Sequence, residues 1–434
     1  MLSILADRRS RDCDGTTRRD FLKVGTLGVG GLGLPSLLAA RAQAAASGQP
    51  VKDTSVVWLW LGGGPTHVET FDPKMTAPSE FRSVTGEVST VLPGVTLGGT
   101  FPEMAKIADK LAFVRSFAHR NSGHGGGTHW VMTGYDNRQV DNGGKPSRPS
   151  LGAIAAKVRG ANHLATGIPT YVRMNGILAD GPAFLGTACA PFDPQGQARK
   201  NMTLATKLER LSDRRGLLQS LDRFKRDADS TGVMEGLDEF EEQAFNLILG
   251  DATKAFDLAK EDPRVVTKYD KGLGQQMLVA RRLCEAGCGF VTVNFGGWDM
   301  HGQIKTAMNN RGPAVDRAVA AFVEDVAQRG LSERILLVVT GEFGRTPRVN
   351  KNAGRDHWAP LSTLALAGGG LKMGQIVGES NAKAEVPKSS PIGPQDLMAT
   401  VFGVLGIDPK LQFTNLAGRP VYLVEEGQAI RELV

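Results

Sequence analysis

The chain has 434 residues, of which 41% are apolar, and it carries 51 Lys and Arg against 45 Asp and Glu, a formal net charge of +6. This composition is typical of a globular protein. Without residues 1–46, which hold seven of the basic residues and four of the acidic ones, the net charge is +3. No basic block remains in that part, so we expect no nucleic acid among the partners.

The N-terminal residues have the layout of an export signal. Arg18 and Arg19 are followed by Phe-Leu-Lys, a weakly apolar stretch at 24–38 and an alanine-rich run at 39–46. Paired arginines mark the route that carries folded proteins, and the order of the three regions is that of a cleavable signal. An amphipathic first helix is the alternative, but the five glycines in the apolar stretch disfavour it.

We therefore predict a twin-arginine signal peptide at residues 1–46. This signal implies export by the twin-arginine machinery and a periplasmic or extracellular location for the rest of the chain. The apolar stretch is too short and too glycine-rich for a stable membrane span.

Beyond the signal, predicted strands and helices alternate. Continuous apolar runs, typical of strands buried on both faces, occur at residues 56–61, 112–114, 290–295 and 335–339. Helical patterns occur at residues 101–110, 151–159, 275–286 and 313–330. This alternation predicts an α/β fold with a mainly parallel sheet covered by helices on both faces.

Residues 198–264 differ from the rest because Leu and Phe recur there at helical spacing among many charged residues. No Pro/Ser-rich linker flanks the segment, which favours a helical insertion over a separate domain. We therefore expect one α/β domain at residues 47–434 with a helical insertion at about 198–264.

Polar clusters follow the predicted strands directly, and six of the seven histidines lie in these segments, which we interpret as loops. In open parallel sheets, ligands bind beyond the carboxyl ends of the strands. Histidine and carboxylate groups bind divalent metals, and arginine binds phosphate or sulfate. The candidate site residues are Glu69, Asp72, His124, Asp299, His301, Glu342, Arg345 and His357.

Two of these clusters have simple structural alternatives. Glu69 and Asp72 lie in a segment that equally resembles a turn, because Asp-Pro commonly initiates one. Asp299 and His301 fall on one side of an extended segment, where a structural hydrogen bond would account for both.

The later clusters have alternatives as well. Glu342 and Arg345 are spaced to form an ordinary salt bridge, and Asp356 and His357 would form a hydrogen-bonded pair beside Trp358. Function and structure remain open for both clusters at this point.

Taken in order, the segments GGPTHVETFDPK, HGGGTHWVMTGY, FVTVNFGGWDMHG, GEFGRTP and GRDHW resemble the secreted, sulfatase-like family called domain of unknown function 1501. The resemblance extends from about residue 50 to the C-terminus. More distantly, it implies an alkaline phosphatase-like fold. Members of the alkaline phosphatase and sulfatase superfamily hold divalent metals at strand ends and attack esters with Ser, Thr or formylglycine.

Carried over by position, the resemblance implies metal ligands. Asp299 and His301 correspond to one ligand pair, and His357 corresponds to the late ligand histidine. Glu342 falls where the superfamily has an aspartate.

The sequence also departs from the superfamily pattern. Phe343 occupies the position of a second ligand, and glycine replaces the first-strand aspartate, for which Glu69 and Asp72 are candidate substitutes. Counting nine residues back from Thr133 reaches His124, where the superfamily has its nucleophile.

The favoured hypothesis is an exported metal-dependent hydrolase of phosphate or sulfate esters, with a sulfated or phosphorylated extracellular glycan as a candidate substrate. The metal would be zinc, calcium, magnesium or manganese. Asp299, His301 and His357 would bind it, His124 would be a ligand or the nucleophile, Glu342 a base, and Arg345 the anion-binding group. The alternatives are a non-catalytic protein that binds a glycan or another cell-envelope component, and a mutase or phosphotransferase that uses His124.

Overall fold

The computed structural model describes residues 53–163, 165–194, 252–389 and 391–434. The predicted signal at 1–46 and most of the predicted insertion at 198–264 lie outside the described residues.

The strands share one large sheet and three small two-stranded sheets. In chain order they are β1 (Ser55–Trp60), β2 (Glu87–Ser89), β3 (Thr96–Gly98), β4 (Ala112–Val114), β5 (Tyr171–Met174), β6 (Phe290–Asn294), β7 (Ile335–Thr340), β8 (Gly344–Arg345), β9 (His357–Trp358), β10 (Leu364–Gly368), β11 (Gln375–Val377), β12 (Gln412–Thr414) and β13 (Pro420–Tyr422).

The helices range from single turns to one of 25 residues. In chain order the described α-helices are α1 (Pro102–Lys106), α2 (His124–Thr133), α3 (Leu151–Arg159), α4 (Ala252–Phe256), α5 (Pro263–Tyr269), α6 (Leu273–Glu285), α7 (Ile304–Gln328) and α8 (Pro394–Leu405). None of these helices combines the length and apolar character that a bilayer crossing requires.

The large sheet has seven strands in the order β11-β4-β10-β7-β1-β6-β5. Strand β10 runs antiparallel to both of its neighbours, β4 and β7, and the other neighbouring pairs are parallel. The predicted mainly parallel sheet is therefore confirmed.

Strand β1 lies inside the sheet, between β7 and β6, and its side chains enter two separate cores. Val57 and Leu59 pack with apolar residues of α1, α6 and α7 on one face. Val56 and Trp58 pack with residues of α2, α3 and α8 on the other. Successive side chains of a strand point to opposite faces, so an unbroken apolar run lets β1 bury both. The predicted helices on both faces are confirmed.

Some sequence-based boundaries are wrong. Helix α7 begins at Ile304, nine residues before the predicted start at Pro313. A proline inside a helix removes one backbone hydrogen bond, but Ile304 and Met308 bury their side chains in the core and anchor the turns that precede it.

The segment that contains His124 and His129 is also not a loop, because it forms helix α2. Its glycines, which normally disfavour a helix, are required by packing. A Cβ at Gly126 would lie 2.2 Å from the Asn121 side-chain amide.

The parallel strands β1, β6 and β7 end at the same edge of the sheet. At this edge, the segments that follow these strands contact the N-terminus of α2 and the two-stranded β8–β9 sheet. In that small sheet Arg345 pairs with His357. This edge carries the candidate site.

Candidate functional site

Three histidines surround Asp299 at this edge of the sheet. Asp299 Oδ1 lies 2.9 Å from His301 Nε2 and 3.1 Å from His357 Nε2. Its other oxygen, Oδ2, lies 3.4 Å from His124 Nε2. The Nε2 atoms of His301 and His357 are 3.0 Å apart. The structure thus brings together four of the predicted site residues from three distant segments.

The second ring nitrogen of each histidine has a partner that can only accept a hydrogen bond. His357 Nδ1 donates to the Ser122 carbonyl oxygen at 2.8 Å. Nδ1 of His301 donates to Asp356 at 2.8 Å, and Nδ1 of His124 donates to Glu342 at 2.8 Å. These partners set the tautomers, so in each neutral ring Nε2 presents a lone pair.

Three lone pairs and a carboxylate therefore face one another, an arrangement that is repulsive without a shared proton or a cation. Metal-binding histidines characteristically donate their other N–H to a carboxylate or carbonyl, as all three do here. One ligand atom from each of His124, Asp299 and His357 lies within 4.8 Å of the others. The donor set therefore fits a metal ion.

The formal charges of the cluster also favour a bound cation. Asp299, Glu342 and Asp356 contribute three negative charges to this cluster, and Arg345 contributes one positive charge. With neutral histidines the sum is −2, which one divalent cation would balance. Burial lowers the pKa of His357, which favours its neutral form. The hydrogen bond to Glu342 instead raises the pKa of His124, so a metal would have to compete there with a proton.

Arg345 is fully buried behind Asp299 and donates to Asp299 Oδ1 at 2.5 Å. It also donates to the carbonyl oxygens of Gly63, Gly64 and Arg355. Burial alone would raise the pKa of Asp299, but the Arg345 guanidinium holds that pKa well below its usual range. The expectation that Arg345 binds a substrate anion is therefore wrong in this structure, because buried protein groups take up its donors.

Glu342 is buried and receives two hydrogen bonds on Oε1, one from the Gly63 amide at 2.8 Å and one from His124. Its other oxygen, Oε2, has no hydrogen-bond partner. The simple salt bridge with Arg345 does not form. The Glu342 backbone is held by His119, whose Nε2 donates to its carbonyl oxygen at 2.7 Å. Burial lowers the pKa of His119 to about 4, so this ring is neutral.

Glu69 and Asp72, the predicted substitutes for the missing aspartate, do not join the cluster. Glu69 is fully buried and forms an ion pair with Arg355 at 2.9 Å. Asp72 accepts a hydrogen bond from Ser380 and lies 3.3 Å from Lys74 Nζ. The expectation that Glu69 and Asp72 bind the metal is wrong in this structure, because both carboxylates already have partners within the protein.

The remaining histidines have structural partners. His67 Nε2 donates to the Ala384 carbonyl oxygen at 2.9 Å. His129 Nδ1 donates to the Tyr135 carbonyl oxygen at 2.7 Å. His163 Nδ1 accepts from the Thr166 amide at 3.3 Å. Only three of the six histidines that the sequence places in the candidate segments reach the cluster.

Hydroxyl groups near His124 are engaged with the backbone. Thr128 donates to the His124 carbonyl oxygen at 2.5 Å, and Thr133 donates to the His129 carbonyl oxygen at 2.6 Å. Both lie inside α2, where such bonds to the preceding turn are common. Neither is placed as a nucleophile.

Sequence reasoning missed two partners that orient the ligands. The Ser122 carbonyl oxygen carries no sequence signal, because every residue has one. The structural alternative, in which Asp356 pairs with its neighbour His357, does not hold, because Asp356 accepts a hydrogen bond from His301. Its position directly before a ligand histidine was the available signal.

The chain matches one protein family and has distant similarity to solved structures. A family model described as "Protein of unknown function (DUF1501)" matches residues 53–434. No curated protein matches the sequence. The chain is similar to three solved structures, and each similarity covers 87% of this chain.

The first is the PsFucS1 sulfatase from Pseudoalteromonas sp., with 12% identity, 73% of that chain covered and a TM-score of 0.40. The second is the lipoteichoic acid synthase LtaP from Listeria monocytogenes, with 10% identity, 76% covered and a TM-score of 0.36. The third is the phosphonate monoester hydrolase SpPMH from Silicibacter pomeroyi, with 12% identity, 76% covered and a TM-score of 0.34. At these TM-scores the similarities say nothing about the activity of this chain.

The family resemblance seen in the motifs is confirmed by the family model, which spans the described sheet, its helices and the histidine cluster. The chain belongs to the DUF1501 family, whose model it matches from residue 53 to residue 434.

Proposed function

We propose that this protein is an exported metal-dependent hydrolase of phosphate or sulfate esters. The observation that carries the proposal is the convergence of three histidine Nε2 atoms on Asp299, with each histidine oriented by an acceptor at Nδ1. The motif resemblance to the alkaline phosphatase and sulfatase superfamily supports the ester class. The paired arginines support export as a twin-arginine precursor with its signal at 1–46 and one domain at 47–434.

The donor set favours particular metals. Three imidazole nitrogens and one carboxylate suit zinc or another transition metal, whereas calcium and magnesium prefer oxygen ligands. His124, His301, His357 and Asp299 would hold the ion. When bound, a divalent ion at such a site polarises an ester oxygen and lowers the pKa of a water.

The surrounding residues support attack by water. Glu342 Oε2 is buried and has no hydrogen-bond partner, and its carboxylate adjoins His124. We assign Glu342 as the base that accepts a proton from the attacking water. Asp299 and His301 have side-chain exposures of 47%, so an ester can approach the cluster from solvent.

His124 is better suited to be a ligand than a nucleophile. Its Nδ1 is committed to Glu342, and its Nε2 faces Asp299. A phosphohistidine at Nε2 would place a phosphoryl group where the carboxylate lies, and like charges repel at such distances. This geometry disfavours the mutase or phosphotransferase that uses His124.

Metal analysis of protein purified without chelator tests the proposal, with His357→Ala as the key variant and His163→Ala as the matched control. We expect about one equivalent in the wild type and in His163→Ala, and a loss in His357→Ala. Less than about a tenth of an equivalent in the wild type, unaltered by His357→Ala, would overturn the proposal.

The hydroxyls of Thr128 and Thr133 donate to backbone carbonyl oxygens and are not placed as nucleophiles. This favours a second candidate, a non-catalytic protein that binds a glycan or another envelope component. Phosphate and sulfate ester panels incubated with the metal-loaded protein separate the two. Turnover that disappears in Asp299→Ala, with the fold intact, supports the hydrolase. Metal binding without turnover of any ester supports the binding protein.

A further inference from the structure

Phe343 lies directly against two of the histidines that face Asp299. It is fully buried, and its ring centroid lies 4.4 Å from that of His357 and 5.2 Å from that of His124. The two imidazole rings themselves are 4.5 Å apart and nearly perpendicular, at 74°. One aromatic ring therefore supports the planes of two candidate ligands at once.

The surrounding backbone leaves room for this ring by means of glycine. A Cβ at Gly64 would lie 2.3 Å from Phe343 Cε2, and one at Gly127 would lie 3.2 Å from Cδ1. Gly64 also has a φ of +79°, a conformation that side chains other than glycine rarely adopt. Segments after β1 and inside α2 thus form a slot that the Phe343 ring fills.

The described residues around the slot offer ligands for one ion. Within the described residues, the metal-ligating side chains form one group that is close enough to share an ion, the group containing His124, Asp299 and His357. Glu69 is paired with Arg355, and Glu342 Oε1 is occupied by Gly63 and His124. An apolar ring offers no donor atoms, and one divalent ion already balances the local charge of −2.

We infer that the site takes a single divalent ion and that Phe343 is the positioning residue that holds His124 and His357 in register with Asp299. This inference rests on the proposed function, because it presupposes that the cluster binds metal. The physical reason is packing: a buried ring that fits between Gly64 and Gly127 and contacts both imidazoles prevents them from rotating away from a common centre.

The test compares Phe343→Leu with Phe322→Leu, a matched change at a buried phenylalanine in α7, about five helical turns beyond Ile304. Zinc is titrated against a competing chelator, and the cobalt-loaded protein is examined by absorption spectroscopy. We expect one equivalent in the wild type, an affinity about 10- to 100-fold lower in Phe343→Leu with an altered cobalt spectrum, and wild-type affinity in Phe322→Leu.

A second pair of variants keeps the inference testable if Phe343→Leu fails to fold. Gly64→Ala pushes the added carbon into the Phe343 ring, whereas Gly94→Ala has a similar φ of +74° and meets nothing within 4 Å. Both variants bear the same backbone strain, so a lower zinc affinity in Gly64→Ala alone supports the role of Phe343.

The outcomes are distinguishable. Two equivalents of zinc in the wild type would overturn the single-ion inference and leave the proposed function standing. Unchanged affinity and an unchanged cobalt spectrum in folded Phe343→Leu or Gly64→Ala would overturn the positioning role. No bound metal in the wild type would overturn the proposed function and this inference together.

Discussion

The Nε2 atoms of His301 and His357 lie 3.0 Å apart, and in the neutral rings neither nitrogen carries a hydrogen. Their Nδ1 atoms already donate to Asp356 and to the Ser122 carbonyl oxygen. Two acceptors at hydrogen-bond distance, both facing Asp299, are stable together when a positive charge lies between them. This relationship makes the orienting groups as informative to test as the ligands.

Asp356→Asn removes the carboxylate that orients His301. The amide can offer an N–H to His301 Nδ1 in place of an acceptor, which disfavours the tautomer with a lone pair at Nε2. Loss of such an orienting partner commonly lowers metal affinity about 10- to 100-fold. We expect that loss in a zinc titration, with wild-type affinity in the matched surface variant Asp408→Asn. Equal affinity in the two variants would contradict the role of Asp356.

Arg345→Lys keeps a positive charge behind Asp299 but removes the planar group that binds two glycine carbonyl oxygens as well. Losing these buried hydrogen bonds should lower the free energy of unfolding by about 2–3 kcal/mol. Urea denaturation measures the change, and Arg138→Lys at the surface should differ from the wild type by less than about 0.5 kcal/mol. A stability equal to that of the wild type would show that the hydrogen bonds from Arg345 to Gly63 and Gly64 do not stabilise the fold.

Glu69→Gln separates a structural carboxylate from a ligand. Because Glu69 and Arg355 are both fully buried, removing one charge leaves the other unpaired, at a cost of about 3–5 kcal/mol in the free energy of unfolding. We expect the folded fraction to keep its metal. Asp299→Asn should instead lose metal from the folded protein. Loss of metal from folded Glu69→Gln would restore Glu69 as a candidate ligand.

Asp180 makes the stability of the protein depend on pH. Burial raises the pKa of Asp180 from 3.8 to about 7, and its carboxyl contacts the Thr292 hydroxyl at 3.1 Å. Between these values the folded state binds more protons than the unfolded state. The contribution of this group to stability therefore falls as pH rises from about 4 to about 7, and the full cost is present above that range.

Asp180→Asn cannot ionise and retains an acceptor for Thr292. We expect this variant to exceed the wild type in free energy of unfolding at pH 8, by on the order of 4 kcal/mol, and to match it at pH 4. Urea denaturation at the two pH values measures both differences. A gain of equal size at pH 4 would mean that ionisation is not its cause.

Much of the scaffold could be predicted from local sequence. Strands β1, β4, β6 and β7 coincide with the apolar runs to within one residue at either end, because deep burial on both faces leaves an unbroken apolar pattern. Helix α3 coincides fully with its predicted range. The pattern was insufficient where packing overrides propensity. Helix α2 contains three glycines in succession, and their small size is needed by Asn121, Val140 and Phe343.

Local residue patterns were enough to predict a mainly parallel α/β sheet of the DUF1501 family, with histidine and carboxylate residues after its strands. The convergence of His124 on Asp299, the pairing of Glu69 with Arg355 and the burial of Arg345 became visible in the folded chain alone. The physical reason is that spacing along the chain sets which way a side chain points within its own element. The partner of a polar side chain depends on the distant segments that pack beside it. It pairs when one of those segments supplies an opposite charge or a hydrogen-bond donor.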